Sequence, residues 1–198
     1  MKRLFITLAL TLVTGICFAQ VSDDHMKFMG ISMGESYSSF VEKLQAKGFE
    51  LYVDEESDAE EDDDIAILFG EFAGYNSMVY LPKTDLITGI TIVPVCTDDD
   101  WSELEEGYFE FKTNYTKKYG KPSEEEETFN QTLNAQDNAA KILALQSGNC
   151  SYVCGFSTDK GNIAVGLDYI DEVGCVLLIV YTDKINSDIQ NERYLDDL

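Results

Sequence analysis

Six short apolar segments, in two sets of three, constrain this chain more than any other feature. Residues 65–72, 75–81 and 86–96 form the first set; residues 150–157, 162–169 and 174–181 form the second. Within each set the segments are separated by only two to four residues, among them Ala73-Gly74, Pro82-Lys83-Thr84-Asp85 and Thr158-Asp159-Lys160-Gly161. Parallel strands need a crossover of about a dozen residues or more, so connections this short dictate antiparallel meanders.

Helical periodicity precedes each set. In residues 36–47, Tyr37, Phe40, Val41 and Leu44 fall at i, i+3, i+4 and i+7, the stripe of an amphipathic helix. Gly48 ends it as a left-handed residue would, and Phe49 supplies the apolar contact beyond the cap. A second helix opens at Asp100, which pairs with Glu103 in a D-x-x-E variant of the capping box. Its aromatic face runs through Trp101, Tyr108, Phe111, Tyr115 and Tyr119 until Gly120 and Pro122 stop it. Residues 49–53 and 124–131 read as further strands, and residues 137–146 as a short helix. Residues 186–198 read as a polar tail with some helical character.

The order repeats: helix, strand, loop and three strands over 36–96, then helix, strand, insertion and three strands over 100–181. This predicts an α+β fold of two tandem repeats of helix plus antiparallel sheet, with the helices packed on one face. The expected boundaries are residues 20–97 for the first repeat, 98–184 for the second and 185–198 for the tail.

Residues 1–19 have the grammar of a secretory signal peptide. Lys2 and Arg3 precede an apolar run over residues 4–16, and Cys17-Phe18-Ala19 places small residues three and one before a cut at Ala19|Gln20. Ile16 stands where a lipoprotein signal needs Gly, Ala or Ser before the cysteine. No later stretch approaches the roughly 20 apolar residues of a membrane-spanning helix. The mature chain is expected to be exported, to the periplasm or the cell exterior.

Tandem units of this kind resemble the beta-lactamase inhibitor protein-like fold. Phe28-Met29-Gly30-Ile31, Phe40-Val41-Glu42-Lys43-Leu44 with Lys47-Gly48-Phe49, Lys118-Tyr119-Gly120-Lys121-Pro122 and Tyr181-Thr182-Asp183-Lys184-Ile185-Asn186 are also similar to uncharacterised exported proteins of Gram-negative bacteria. The resemblance implies a non-catalytic, extracytoplasmic protein that binds another protein. It supplies no inhibitory contact residue that matches a position here, so inhibition is not carried over.

Charge narrows the partner. With 37 acidic against 14 basic residues the net charge is −23, and such a surface repels phosphate backbones and anionic headgroups. Nucleic acid is not an expected partner; cationic proteins and divalent ions are. Hydrophobic residues make up 44% of the chain, too many for a disordered acidic polymer.

Candidate chemistry is sparse. The single histidine, His25, lies in what reads as a loose N-terminal segment over residues 20–27, where an imidazole is not fixed for catalysis. Residues 54–64 hold nine carboxylates in eleven positions. Asp54, Glu55, Asp58, Asp62 and Asp64 are the candidate calcium ligands, although Ala59 occupies the sixth position, where an EF-hand loop needs glycine. The bland reading is a solvated loop. Asp98-Asp99-Asp100 reads as charge meeting a helix N-terminus, and the carboxylates at 124–127 as an exposed strand.

Cys96, Cys150, Cys154 and Cys175 suggest disulfides in an exported chain, with the pairing open. Cys150 and Cys154 on one strand would lie about 13 Å apart at ~3.3 Å per residue and cannot bond to each other. Buried free thiols are the equal alternative, and no CxxC pair seeds a zinc site. Paired carboxylates of a glycoside hydrolase are a third, weaker reading, because acidic residues are everywhere. No Gly-x-Ser-x-Gly elbow or phosphate-binding glycine loop is present. The aromatic face over residues 101–119 reads as core before sugar platform. Tyr52, Tyr75 and Tyr80 flank turns or edges and could serve an exposed face. Together these features predict a non-catalytic exported protein that contacts a protein partner through a concave sheet surface.

Overall fold

Tight hairpins built by short local signals organise the computed structural model, which describes residues 24–52, 64–96, 101–129, 137–171 and 173–196. Strands β1 (Lys27–Phe28) and β2 (Ile31–Ser32) turn through Met29 and Gly30, at φ of 50° and 82°. Strands β4 (Ile65–Phe72) and β5 (Tyr75–Pro82) turn through Ala73 and Gly74, at φ of 53° and 90°. Two central residues at positive φ match the right-handed twist of the flanking strands. Met29 and Ala73 hold this conformation at a cost of about 1–2 kcal/mol each, because a Cβ crowds the following carbonyl.

The main sheet is eight-stranded and antiparallel, in the order β3-β4-β5-β6-β10-β9-β8-β7. Its other members are β3 (Glu50–Leu51), β6 (Gly89–Pro94), β7 (Glu124–Phe129), β8 (Cys150–Thr158), β9 (Gly161–Ile170) and β10 (Gly174–Asp183). The two predicted meanders meet where β6 pairs with β10, in the register Ile92↔Ile179 and Thr91↔Val180. With four helices among the described residues the protein is α+β, as the segment order predicted.

Helix α1 (Tyr37–Gln45) begins where Ser36 accepts from the Ser39 amide at 3.4 Å. It ends in a Schellman motif: Phe49 N donates to Leu44 O at 3.2 Å and Gly48 N to Gln45 O at 2.9 Å. Helix α3 (Asn138–Gln146) repeats the device, with Asn149 N donating to Ala144 O at 2.8 Å around Gly148. Helix α2 (Trp101–Tyr119) buries Trp101, Leu104, Tyr108, Phe111 and Tyr115, the predicted aromatic face. The D-x-x-E cap proposed for it rests on Asp100, outside the described residues.

These helical residues share one core with one side of the sheet: Leu68 and Val79, Ile90 and Ile92, Ile163 and Val165, Leu177 and Ile179. Burying each large side chain contributes about 1.5–3 kcal/mol, so the α2 stripe is the main clamp on the second meander. Phe49 extends the core under the first meander, where its ring lies against Gly70; a Cβ there would come within 2.5 Å of it.

One expectation needs correction, and the helical character expected of the C-terminal segment takes a definite form. Residues 24–28 are not a loose tail but a folded entry to β1 in which Met26 and Phe28 are buried. The polar C-terminal tail is helix α4 (Lys184–Asp196), anchored by buried Asn186, whose Nδ2 donates to Met33 O at 2.9 Å and Ile87 O at 3.0 Å. The anchors of both ends are far away in sequence, beyond the reach of local patterns. No helix among the described residues is long and apolar enough to cross a membrane.

Candidate functional site

The other side of the sheet carries the most distinctive surface. Residues directly opposed in a ladder project to the same face, and one row reads Ile67, Tyr80, Thr91, Val180, Ala164 and Gly155 across β4 to β8. The neighbouring rows place Phe69 opposite Met78, Met78 opposite Val93, and Gly166 between Leu178 and Val153. Phe69 is 42% exposed and Ile65 50% exposed, and Tyr52 stands edge-on to Phe69 at 5.7 Å. On β9 the side chains shrink to Ala164 and Gly166, leaving a hollow of about 400 Å³ bordered by Val153, Leu178 and Val180.

Carboxylates frame this apolar field. Glu50 on edge strand β3 opposes Phe69, while Glu124 and Glu126 on edge strand β7 oppose Gly155 and Val153. Glu71 and Asp168 complete the frame, and all five are exposed. An apolar centre with a charged rim is the anatomy of a protein-binding surface.

Carboxylates facing the helices are already engaged. Glu105 accepts from Lys141 at 3.1 Å and from the Tyr152 hydroxyl at 3.0 Å. Lys112 bridges to Glu125 at 2.9 Å and also pairs with Glu127. Tyr75 donates to Glu110 at 2.8 Å. These pairs tie α2 to β5, β7, β8 and α3. The Tyr108 hydroxyl is buried without a hydrogen bond of normal length among the described residues. Burial first, then Cys154 and Glu127, pushes its ionisation far above the usual tyrosine range.

His25 is fixed, contrary to the expectation of a mobile imidazole. Asp183, fully buried at the end of β10, accepts from His25 Nδ1 at 3.0 Å, Met26 N at 2.6 Å and Asn186 N at 2.8 Å. The imidazole lies against Gly34, where an added Cβ would come within 2.4 Å of the ring. This is half of a catalytic triad in form. Through this bond the pair joins the N-terminal hairpin to the end of β10.

Of the candidate calcium ligands, Asp54, Glu55, Asp58 and Asp62 lie outside the described residues. Asp64 is exposed at the start of β4, and its carbonyl accepts from Lys83 N at 2.7 Å. Among the described residues no three His, Cys, Asp or Glu side chains are grouped to hold a metal. No disulfide joins Cys96, Cys150, Cys154 or Cys175 among the described residues. Burial, then Glu103, pushes Cys96 up to about 11; burial likewise takes Cys150 to about 11 and raises Cys154. Thiols so rarely ionised are poor nucleophiles at neutral pH.

Tyr52 and Tyr80 lie on the uncovered face as anticipated, whereas Tyr75 points to the helices. The sequence reading overlooked Ile67, Phe69, Val153, Leu178 and Val180. Their signal was present in the near-continuous runs Ile65-Ala66-Ile67-Leu68-Phe69 and Val176-Leu177-Leu178-Ile179-Val180-Tyr181, which make both faces of a strand apolar. Comparison with family models, with curated proteins and with solved structures gives no match for this chain.

Proposed function

We propose that this chain is an exported, non-catalytic binding protein whose uncovered sheet face docks a protein partner with an apolar patch and a basic surround. One observation carries the reading: β4 and β10 are apolar on both faces, the composition of strands covered twice, yet among the described residues the helices pack on only one. The acidic frame of Glu50, Glu71, Glu124, Glu126 and Asp168 supplies charge complementarity to a cationic rim and would steer its approach. The signal-like residues 1–19 support an encounter outside the cytoplasm.

The architecture of this reading is a tandem one. Helix α1 with β3–β6 forms one unit, helix α2 with β7–β10 the other, and α3 is an insertion between β7 and β8. Their junction at β6 and β10 makes the docking face continuous across both units.

Photo-crosslinking residues at Phe69, Val153 and, as a control on the helix side, Asn114 test the proposal in the native envelope. A discrete partner captured from Phe69 and Val153 but not Asn114, and lost on raising salt, is the expected result. Equal capture from all three positions, or capture unaffected by Val180→Glu, overturns it. A crosslinked second copy of this chain would replace the heterologous partner with self-association.

A further inference from the structure

The only two non-glycine residues at positive φ among those described, Met29 and Ala73, belong to different hairpins, yet both line one cavity. Strained backbone tends to gather at sites that use it. The cavity holds about 460 Å³, within the usual range for small-molecule sites. It lies on the helix side of the sheet, between the β1–β2 hairpin, the β4–β5 turn and the C-terminal half of α2.

Its wall is an aromatic ladder. Phe72 stacks on Phe111 at 5.9 Å and 5° between planes, Phe111 on Tyr115 at 6.2 Å, and Tyr115 on Tyr119 at 5.9 Å. Phe111 and Tyr115 are buried within the stack and form the floor of the cavity, while half-buried Phe72 and Tyr119 at its ends offer apolar ring surface to a ligand.

Its charge runs against the rest of the molecule. Acidic residues outnumber basic ones 37 to 14 in the chain, yet the lining contains Lys27, Lys118 and Lys160 and no Asp or Glu. Lys118 Nζ stands 4.8 Å from the Tyr119 ring centroid, so the cationic edge meets the aromatic wall. In a chain this negative, three lysines gathered around one aromatic concavity give an anion a local attraction there.

We infer that this cavity is a binding site for a small amphipathic organic anion, an apolar body against the ladder of Phe72, Phe111, Tyr115 and Tyr119, with its acid group at Lys27, Lys118 and Lys160. The site is independent of the uncovered sheet face, which lies on the opposite side of the strands.

Titration of the purified chain with dodecanoate, dodecanol and dodecyltrimethylammonium, followed by calorimetry and by displacement of anilinonaphthalene sulfonate, tests it. Saturable one-to-one binding of dodecanoate is expected, at least tenfold tighter than the cation and tighter than the neutral alcohol. Lys118→Glu and Lys27→Glu, both at exposed positions that leave the fold intact, should each weaken dodecanoate at least fivefold and leave dodecanol unchanged. Asn114→Trp, at the mouth, should abolish both. Val153→Glu, on the other face, should alter neither. Equal affinity for anion and cation, indifference to both charge reversals, or absence of saturable binding overturns the site. Circular dichroism of each variant separates these results from misfolding.

Discussion

The hydroxyls of Tyr115 and Tyr181 lie 2.8 Å apart inside the protein and bond to each other, fastening the middle of α2 to β10. Both residues are almost fully buried. Removing one hydroxyl leaves the other without a partner, at a cost of about 1–3 kcal/mol. Tyr115→Phe and Tyr181→Phe should each destabilise by that amount, and the double variant by clearly less than the two combined. Urea unfolding of the four proteins measures the coupling; strict additivity would mean that the bond contributes nothing.

The same buried phenols make stability sensitive to alkali. Burial pushes Tyr181 and Tyr75 up to about 12 from 10.0, and burial raises Tyr108 and Tyr115 further still. A raised value in the native state means that the folded protein keeps its proton where the unfolded chain loses it. Their contribution is therefore whole below pH 10 and is lost as pH rises through the native values. Each such tyrosine should lower stability by up to about 1.4 kcal/mol per pH unit above pH 10. Denaturation midpoints from about pH 8 to about pH 11 follow this slope, and near-ultraviolet absorbance should show phenolate appearing together with unfolding.

Asp183 holds three donors at once, so its removal should cost more than the loss of any one of them. Asp183→Ala strands the amides of Met26 and Asn186 together with His25, and a destabilisation of about 3–5 kcal/mol is expected. His25→Ala leaves the carboxyl with two amide partners and should cost about 1.5–3 kcal/mol. Hydrogen exchange should show the β1–β2 hairpin opening first in both variants. If His25→Ala matches Asp183→Ala, the amides carry little of the anchoring.

Cys96 and Cys175 line one small cavity beyond the last β6–β10 pair, Ile92↔Ile179, and the same register carried onward would set them opposite each other. Directly opposed residues have Cβ atoms about 4.5–5.5 Å apart, a small closure from disulfide reach. Cys150 stands two strands from Cys175, on the order of 9.6 Å at the usual strand spacing. Incubation with oxidised glutathione should join Cys96 to Cys175, each thiol giving up a proton while two electrons reduce the glutathione disulfide. The reaction should be slow at neutral pH because Cys96 ionises only near 11. Peptide mapping should find Cys150 and Cys154 alkylated only after unfolding; a Cys150-linked peptide would refute the register argument.

Sequence made the hairpins, the α2 stripe and the Gly48 cap legible because each depends on residues within about one turn or one strand of one another. The Leu44–Phe49 segment could be read before any contact was known. His25 could not, since its partner is 158 positions away and nothing beside it marks the pairing. The uncovered face was half visible: the apolar runs in β4 and β10 were noted as strands, but periodicity alone does not reveal which side helices will cover. The cationic cavity was invisible for a similar reason. Lys27, Lys118 and Lys160 come from three separate elements, and only tertiary packing gathers them.

Strand β10 follows every other described strand in the chain and yet sits in the middle of the sheet, between β6 and β9. Until residues 174–183 emerge, two interior edges present bare amide and carbonyl rows, each a template for another chain. A nascent or truncated molecule ending before Gly174 therefore resembles an open zip more than a smaller protein. Emergence of β10 and closure of the hydrogen-bonded ribbon become a single event.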